Sequence, residues 1–211
     1  MLSIYYTAKG SGEHEITIQK SRFICHIKRV ETEEDAQAFI QEIKKKHHHA
    51  NHNCSAYLIG ERDEIQKAND DGEPSGTAGV PMLEVLKKRG LKDTAAVVTR
   101  YFGGIKLGAG GLIRAYGQAV SEGLNHTGIV ERKLMKIMHT KIDYTWLGKL
   151  ENELRSSEYL IKEIHYLNDV EIETFVASDQ TDTFTKWMTE LTNGQSEITQ
   201  GDVTYLEEEV S

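Results

Sequence analysis

From Lys133 onward the apolar residues switch between the two-residue period of a strand and the 3.6-residue period of a helix, and the order of the switches leaves few folds open. The stretch KLMKIMHTKIDY alternates as a strand, and TWLGKLENELRSSEY carries Trp146, Leu147, Leu150 and Leu154 at helical spacing. LIKEIHYL and VEIETFVAS form two further strands separated by the turn signal Asn168-Asp169. In DQTDTFTKWMTELTNG the residues Phe184, Trp187, Met188 and Leu191 share one helix face, with Asp179 as the expected cap and Gly194 as the stop. SEITQGDVTYLEEE ends the series as a strand. The order βαββαβ is that of the split ferredoxin-like unit, so residues 133–211 are expected to form such a domain.

The preceding 1–132 segment mixes the same elements in a different order. EHEITIQKSRFICHIKRV predicts two strands joined near Lys20-Ser21, and TEEDAQAFIQEIKKKH predicts a helix with Thr32 as N-cap and Ala36, Phe39, Ile40 and Ile43 inward. NCSAYLIG alternates as a strand, AGVPMLEVLKKRG is helical after Thr77, and TAAVVTRYF is a buried strand. A glycine run then leads into the long helix AGGLIRAYGQAVSEGLNHTG. The chain is therefore read as two α+β domains, 1–132 and 133–211, and its 211 residues suit two compact units.

Composition narrows the class of function. Apolar residues make up 38% and charged residues 27%, which is ordinary for a soluble globular protein and gives no case for disorder. The longest apolar runs are too short to cross a bilayer, and MLSIYYTAKG lacks the basic start and apolar stretch of a secretion signal, so a cytoplasmic location is expected. Cys25 and Cys54 lie in separate expected strands and are read as buried thiols rather than a disulfide framework. A net charge of −8 argues against nucleic-acid binding by the surface at large. The charge is unevenly spread, however. Residues 85 to 118 hold seven basic side chains and one acidic one, whereas residues 145 to 211 hold four basic against fifteen acidic. A polyanion would meet the middle of this chain and avoid its end.

Two stretches can carry chemistry. In DDGEPSGTAGVP, Ser75 or Thr77 can cap a helix whose first N–H groups would receive an anion, or the glycines there only permit tight turns. Asp71 and Glu73 beside this cap can hold a hard cation, act as an acid and base, or pair with a nearby arginine. In TRYFGGIKLGAGGLIRAYGQAV the P-loop pattern is absent, since no Gly-Lys-Ser/Thr closes it. What remains is a backbone-exposing turn built on Gly103, Gly104, Gly108, Gly110 and Gly111, with Arg100, Lys106 and Arg114 around it as a candidate phosphate clamp. Tyr101, Phe102 and Tyr116 offer rings for stacking. In the competing reading Arg100 and Arg114 pair with Asp71 and Glu73 and brace the two loops. His47, His48 and His49 are consecutive on a helix end and point in different directions, which opposes shared coordination. His52 is assigned to polar support of the loop cluster, with Asp71 and Glu73. No metal and no cofactor are expected, and no Ser/His/Asp or Cys/His arrangement can be picked out by spacing.

Both loop stretches, with KSRF at Lys20 to Phe23 and HNCSAY at His52 to Tyr57, closely resemble the IMPACT family over most of residues 15 to 130. The 133–211 segment resembles the added C-terminal domain of its bacterial, YigZ-like members. The resemblance implies an N-terminal βαβ arrangement like domain IV of elongation factor G and the GHMP kinases, and a second domain like domain V of that factor. By the same analogy the protein is expected to be a translation-linked regulatory binding protein, contacting RNA or a ribosome-associated protein through its cationic glycine-rich face. Two alternatives stand beside this: an enzyme acting on a nucleotide or small phosphorylated substrate with Mg²⁺, and a protein-interaction module without nucleic acid.

Overall fold

The computed structural model describes residues 1–210. Two compact units divide the chain: Leu2–Arg132 together with the residues from Glu207 onward, and Lys133–Leu206 together with Met1. Both are α+β.

The N-terminal unit comprises β1 (Ile4–Ala8), β2 (Ser11–Ile18), β3 (Ser21–Arg29), α1 (Glu33–Lys46), β4 (His52–Ile59), β5 (Ile65–Asn69), α2 (Gly79–Lys88), β6 (Thr94–Tyr101) and α3 (Gly108–Thr127). Its sheet has the order β2-β3-β6-β4-β5, and every neighbouring pair in it is antiparallel. Because side chains alternate across a strand, each central strand feeds two cores. Phe23, Cys25, Ile27, Cys54, Ala56, Leu58, Ala96 and Val98 pack beneath α2 and α3, against Met82, Leu86, Leu112, Tyr116, Val120 and Leu124. Tyr57, Ile59, Ala95 and Val97 pack on the other side against Ala36, Phe39, Ile40 and Ile43 of α1. Burial on both faces explains why TAAVV reads as an unbroken apolar run. Thr32 caps α1, its Oγ1 accepting from the Asp35 N–H at 3.1 Å. Glu33, Glu34 and Asp35 in the first turn and Lys44, Lys45 and Lys46 in the last suit the helix dipole. Two strands lie outside the expected set: β1, and β5, an edge strand whose residues after Ile65 are exposed, so it carries no apolar alternation.

The C-terminal unit runs β7 (Ile129–Ile142), α4 (Tyr144–Arg155), β8 (Leu160–Tyr166), β9 (Val170–Ala177), α5 (Thr181–Leu191) and β10 (Glu197–Val210), the expected βαββαβ order. Strand β9 lies between β7 and β8, antiparallel to both, and β10 pairs with β7. Strand β9 buries Val170, Ile172, Thr174 and Val176 in strict alternation. The three apolar residues among these join Leu150, Leu154, Phe184 and Met188 in one core. Asp143 caps α4 by accepting from the Thr145 N–H at 2.9 Å. Asp179 does not cap α5: the helix starts one residue later, with Gln180 at its N-cap and no side-chain acceptor there. No helix among the described residues is long and apolar enough to cross a membrane.

Candidate functional site

Strand register assembles the site. Across β3, β6 and β4, Arg100 stands opposite Phe23 on one side and His52 on the other, and all three share the face covered by α2 and α3. Arg100 is 5% exposed. Its Nη1 donates to Glu73 Oε1 at 2.6 Å, its guanidinium lies over the rings of Phe23 and Phe102 at 5.3 and 5.6 Å, and its Nε is buried without a hydrogen-bond partner. Glu73 is itself buried and also accepts from the Tyr116 hydroxyl at 2.8 Å. His52 Nε2 lies 3.8 Å from the second Glu73 oxygen, and His52 Nδ1 is 2.9 Å from the Asp71 carbonyl. Cys54 Sγ lies 3.0 Å from the Asp70 carbonyl and 3.3 Å from the Tyr116 oxygen, and its one S–H can donate to either. Burial pushes the Cys54 thiol up to about 12 and drives Cys25 upward as well, so neither is a nucleophile at neutral pH. Burial, then the neighbouring Cys54 and Glu73, carries the Tyr116 phenol above its usual range, where it remains a hydrogen-bond donor.

The acidic turn has a different role from the one its small residues suggest. The Asp70 carboxylate accepts from the N–H groups of Gly76, Ala78 and Gly79 at 2.8, 3.1 and 2.8 Å. It thereby occupies the N-terminus of α2, which Ser75 or Thr77 was expected to cap and an anion to fill. Ser75 is exposed, and the Thr77 hydroxyl turns back to donate to the Pro74 carbonyl at 2.6 Å. Asp71 pairs with Lys44 at 2.6 Å and accepts from the Asn53 N–H at 2.7 Å. Of the expected arginine braces, Arg100–Glu73 forms. Arg114 is exposed and makes no ion pair among the described residues.

The glycine turn opens a cavity of ≈ 380 Å³ beside this buried pair. Asn51, His52, Glu73 and Arg100 form its polar wall, Pro74, Phe102, Leu107 and Leu112 its apolar wall, and Lys106 with Gly108 and Ala109 its rim. A Cβ on Gly103 would come within 2.0 Å of the Lys20 carbonyl, so only glycine lets this turn lie against the β2–β3 hairpin. That hairpin turns through Gln19 and Lys20, both at positive φ, and Lys20 stands exposed at its tip. Gly104 and Gly108 also adopt positive φ, at +88° and +70°. Gly110 and Gly111 lie in the first turn of α3. Among the described residues no side chain caps α3 and no acidic residue occupies its first turn, so the helix start that contributes Gly108 and Ala109 to the cavity rim is uncompensated.

The three rings do not form a platform. Tyr116 is fully buried, held in the core by Phe23 and Glu73. Tyr101 follows Arg100 in the same strand and therefore points to the opposite face, where its hydroxyl is 3.0 Å from His47 Nδ1. Phe102 alone is exposed at the cavity, at 46%. Arg114 sits farther along α3 and does not line the cavity. Asn51 joins the site without any sequence motif to mark it: its side chain accepts from the Phe102 N–H at 2.8 Å and fixes the start of the glycine turn. Its position just before β4 gives no local signal, because the bond joins residues 51 positions apart.

Residues 19–124 match the Impact N-terminal domain, and residues 140–195 match a domain of unknown function, DUF1949. The chain is 72% identical to the IMPACT family member YvyE of Bacillus subtilis (strain 168), over 100% of this chain and 97% of that one. It is 40% identical to the IMPACT family member YigZ of Escherichia coli (strain K12), over 67% of this chain and 74% of that protein. The IMPACT homolog of Dictyostelium discoideum is 40% identical over 44% of this chain and 28% of its own length. A solved structure described as a hypothetical protein superposes with a TM-score of 0.61 at 28% identity, covering 96% of this chain and 99% of the other. With both domains matched and a relative this similar along its whole length, the chain belongs to the IMPACT family.

Proposed function

We propose that the protein is a translation-linked regulatory binding protein of the IMPACT type, and that the glycine-turn face binds RNA through its phosphates. One observation carries this reading: the uncapped start of α3, exposed Lys106 and the largely buried Arg100 line the same cavity. Backbone N–H groups at a helix start, an ammonium and a buried guanidinium edge are the donors a phosphate needs. Lys20 at the hairpin tip and Arg114 on α3 add cations for neighbouring phosphates, and Phe102 offers a ring to an unpaired base. The Mg²⁺-enzyme alternative is weaker, because Glu73 is the cavity's carboxylate and is already bound by Arg100 and Tyr116, while Asp71 is held by Lys44.

The test is fluorescence anisotropy with a labelled single-stranded RNA, together with co-sedimentation with ribosomes, for wild type and the Lys106→Ala/Arg114→Ala variant. The variant should bind more weakly in both assays. Equal binding at low salt would overturn the proposal, and retention of ribosomes after nuclease treatment would favour a protein partner instead.

A further inference from the structure

On the sheet face opposite the glycine turn, Glu13 of β2, His26 of β3 and His47 at the C-cap of α1 converge. Glu13 and His26 stand opposite each other in the antiparallel register, and Glu13 Oε2 lies 3.2 Å from His26 Nδ1. The His26 and His47 rings are 5.1 Å apart, and one potential ligand atom from each of the three residues lies within 4.8 Å of the other two. His26 is 3% exposed. The Nε2 atoms of both histidines are buried without a hydrogen-bond partner, although buried polar atoms ordinarily find one. Nothing in the RNA-binding reading uses these residues.

We propose that Glu13, His26 and His47 form a binding site for one divalent ion of the zinc type, leaving a coordination position for water. Two imidazoles and a carboxylate are the ligand set such an ion prefers, whereas Ca²⁺ and Mg²⁺ seek oxygen alone. Bonds of about 2.0–2.2 Å require the three ligand atoms to draw together. The half-exposed Glu13 side chain and the helix-end His47 have room to do so, while His26 is fixed by burial. The Tyr101 hydroxyl, 3.0 Å from His47 Nδ1, orients that ring from outside, as partners of metal-bound imidazoles do. Burial holds the His26 imidazole down at about 4, so it enters as a neutral ligand. Lys46 Nζ, 2.7 Å from Glu13 Oε2, competes with the cation for the carboxylate. An ion held here would tie the β2–β3 hairpin to the end of α1.

The experiment is isothermal titration calorimetry of the full chain with zinc chloride. It uses a background of His48→Gln, His49→Gln, His139→Gln and His165→Gln, which removes the adjacent pair of histidines and those of the His139/Glu171/Glu173/His165 group on the C-terminal sheet. One equivalent should bind in that background. Adding His47→Gln or Glu13→Gln should weaken binding at least about tenfold, Tyr101→Phe about tenfold, and Lys46→Ala should tighten it. The opposite signs at Glu13 and Lys46 are what competition for one carboxylate requires. Circular dichroism checks that each variant is folded; His26 is left intact because its burial ties it to folding. No zinc uptake in the background, or uptake unchanged by both His47→Gln and Glu13→Gln, would overturn the site.

Discussion

At the scale of single residues, the site depends on carboxylates whose partners are far away in the chain. Glu73 neutralises Arg100 inside the protein, so removing it leaves a buried charge unpaired. Glu73→Ala should cost about 3–5 kcal/mol, while Arg100→Met/Glu73→Leu should cost less than the sum of its single changes, as urea unfolding would show. Asp70 behaves differently. Burial works to raise its pKa, but N–H donors from Gly76, Gly79 and Ala78 outweigh burial and hold it below its ordinary 3.8. A depressed folded value means that the stabilisation is fully present above about pH 5 and fades as pH falls through the folded pKa. Asp70→Ala should therefore destabilise by about 1–2 kcal/mol at neutral pH, and its deficit against wild type should shrink toward acid. A deficit independent of pH would refute that role for the carboxylate. Sequence showed that acidic and basic groups would meet; it did not show which ones, because Lys44, 27 positions before Asp71, took the partner expected to be an arginine.

At the scale of elements, helix α3 is set by how closely it lies on the sheet. A Cβ on Gly123 would come within 2.6 Å of Cys25 Sγ, whereas Gly148 in α4 has open space around that position. Alanine at either site gains about 1 kcal/mol in helix propensity. Overpacking costs about 1–3 kcal/mol. Gly123→Ala should thus destabilise and Gly148→Ala stabilise, and thermal unfolding of the two variants would give shifts of opposite sign. Element identity was legible wherever apolar periodicity was strong: α1 with its Thr32 cap, both strands of the β2–β3 hairpin and all six elements from β7 to β10. It failed at β1 and β5, where pairing decides the outcome, and at the starts of α2 and α5, where Asp70 reaches back from six to nine residues upstream in one case and no side chain caps the helix in the other.

At the scale of the whole molecule, a basic stretch of sequence does not become an equally basic patch. Among the seven cations between residues 85 and 118, Lys87 pairs with Glu84, Lys92 with Asp63 and Arg100 with Glu73. Lys88, Arg89, Lys106 and Arg114 make no ion pair among the described residues, so on the proposed RNA-binding reading affinity should come from few phosphate contacts and change only shallowly with salt. For Lys106→Ala/Arg114→Ala the slope of log K against log salt should flatten by about 1.4, at about 0.7 per phosphate contact on a single strand. An unchanged slope would mean that neither side chain meets a phosphate. Read alone, the amino-acid order determined the α+β class, the C-terminal βαββαβ order, most helices and strands, and the burial of both thiols, because these follow from spacing along one chain. Tertiary structure alone decided that Asp70 would fill one helix start while the next stayed open, that Tyr101 and Tyr116 would leave the cavity, and that His26 and His47 would meet. Those outcomes depend on strand register, on which faces pack and, for Asp70, on how the turn before α2 folds back on itself, and apolar periodicity records none of these.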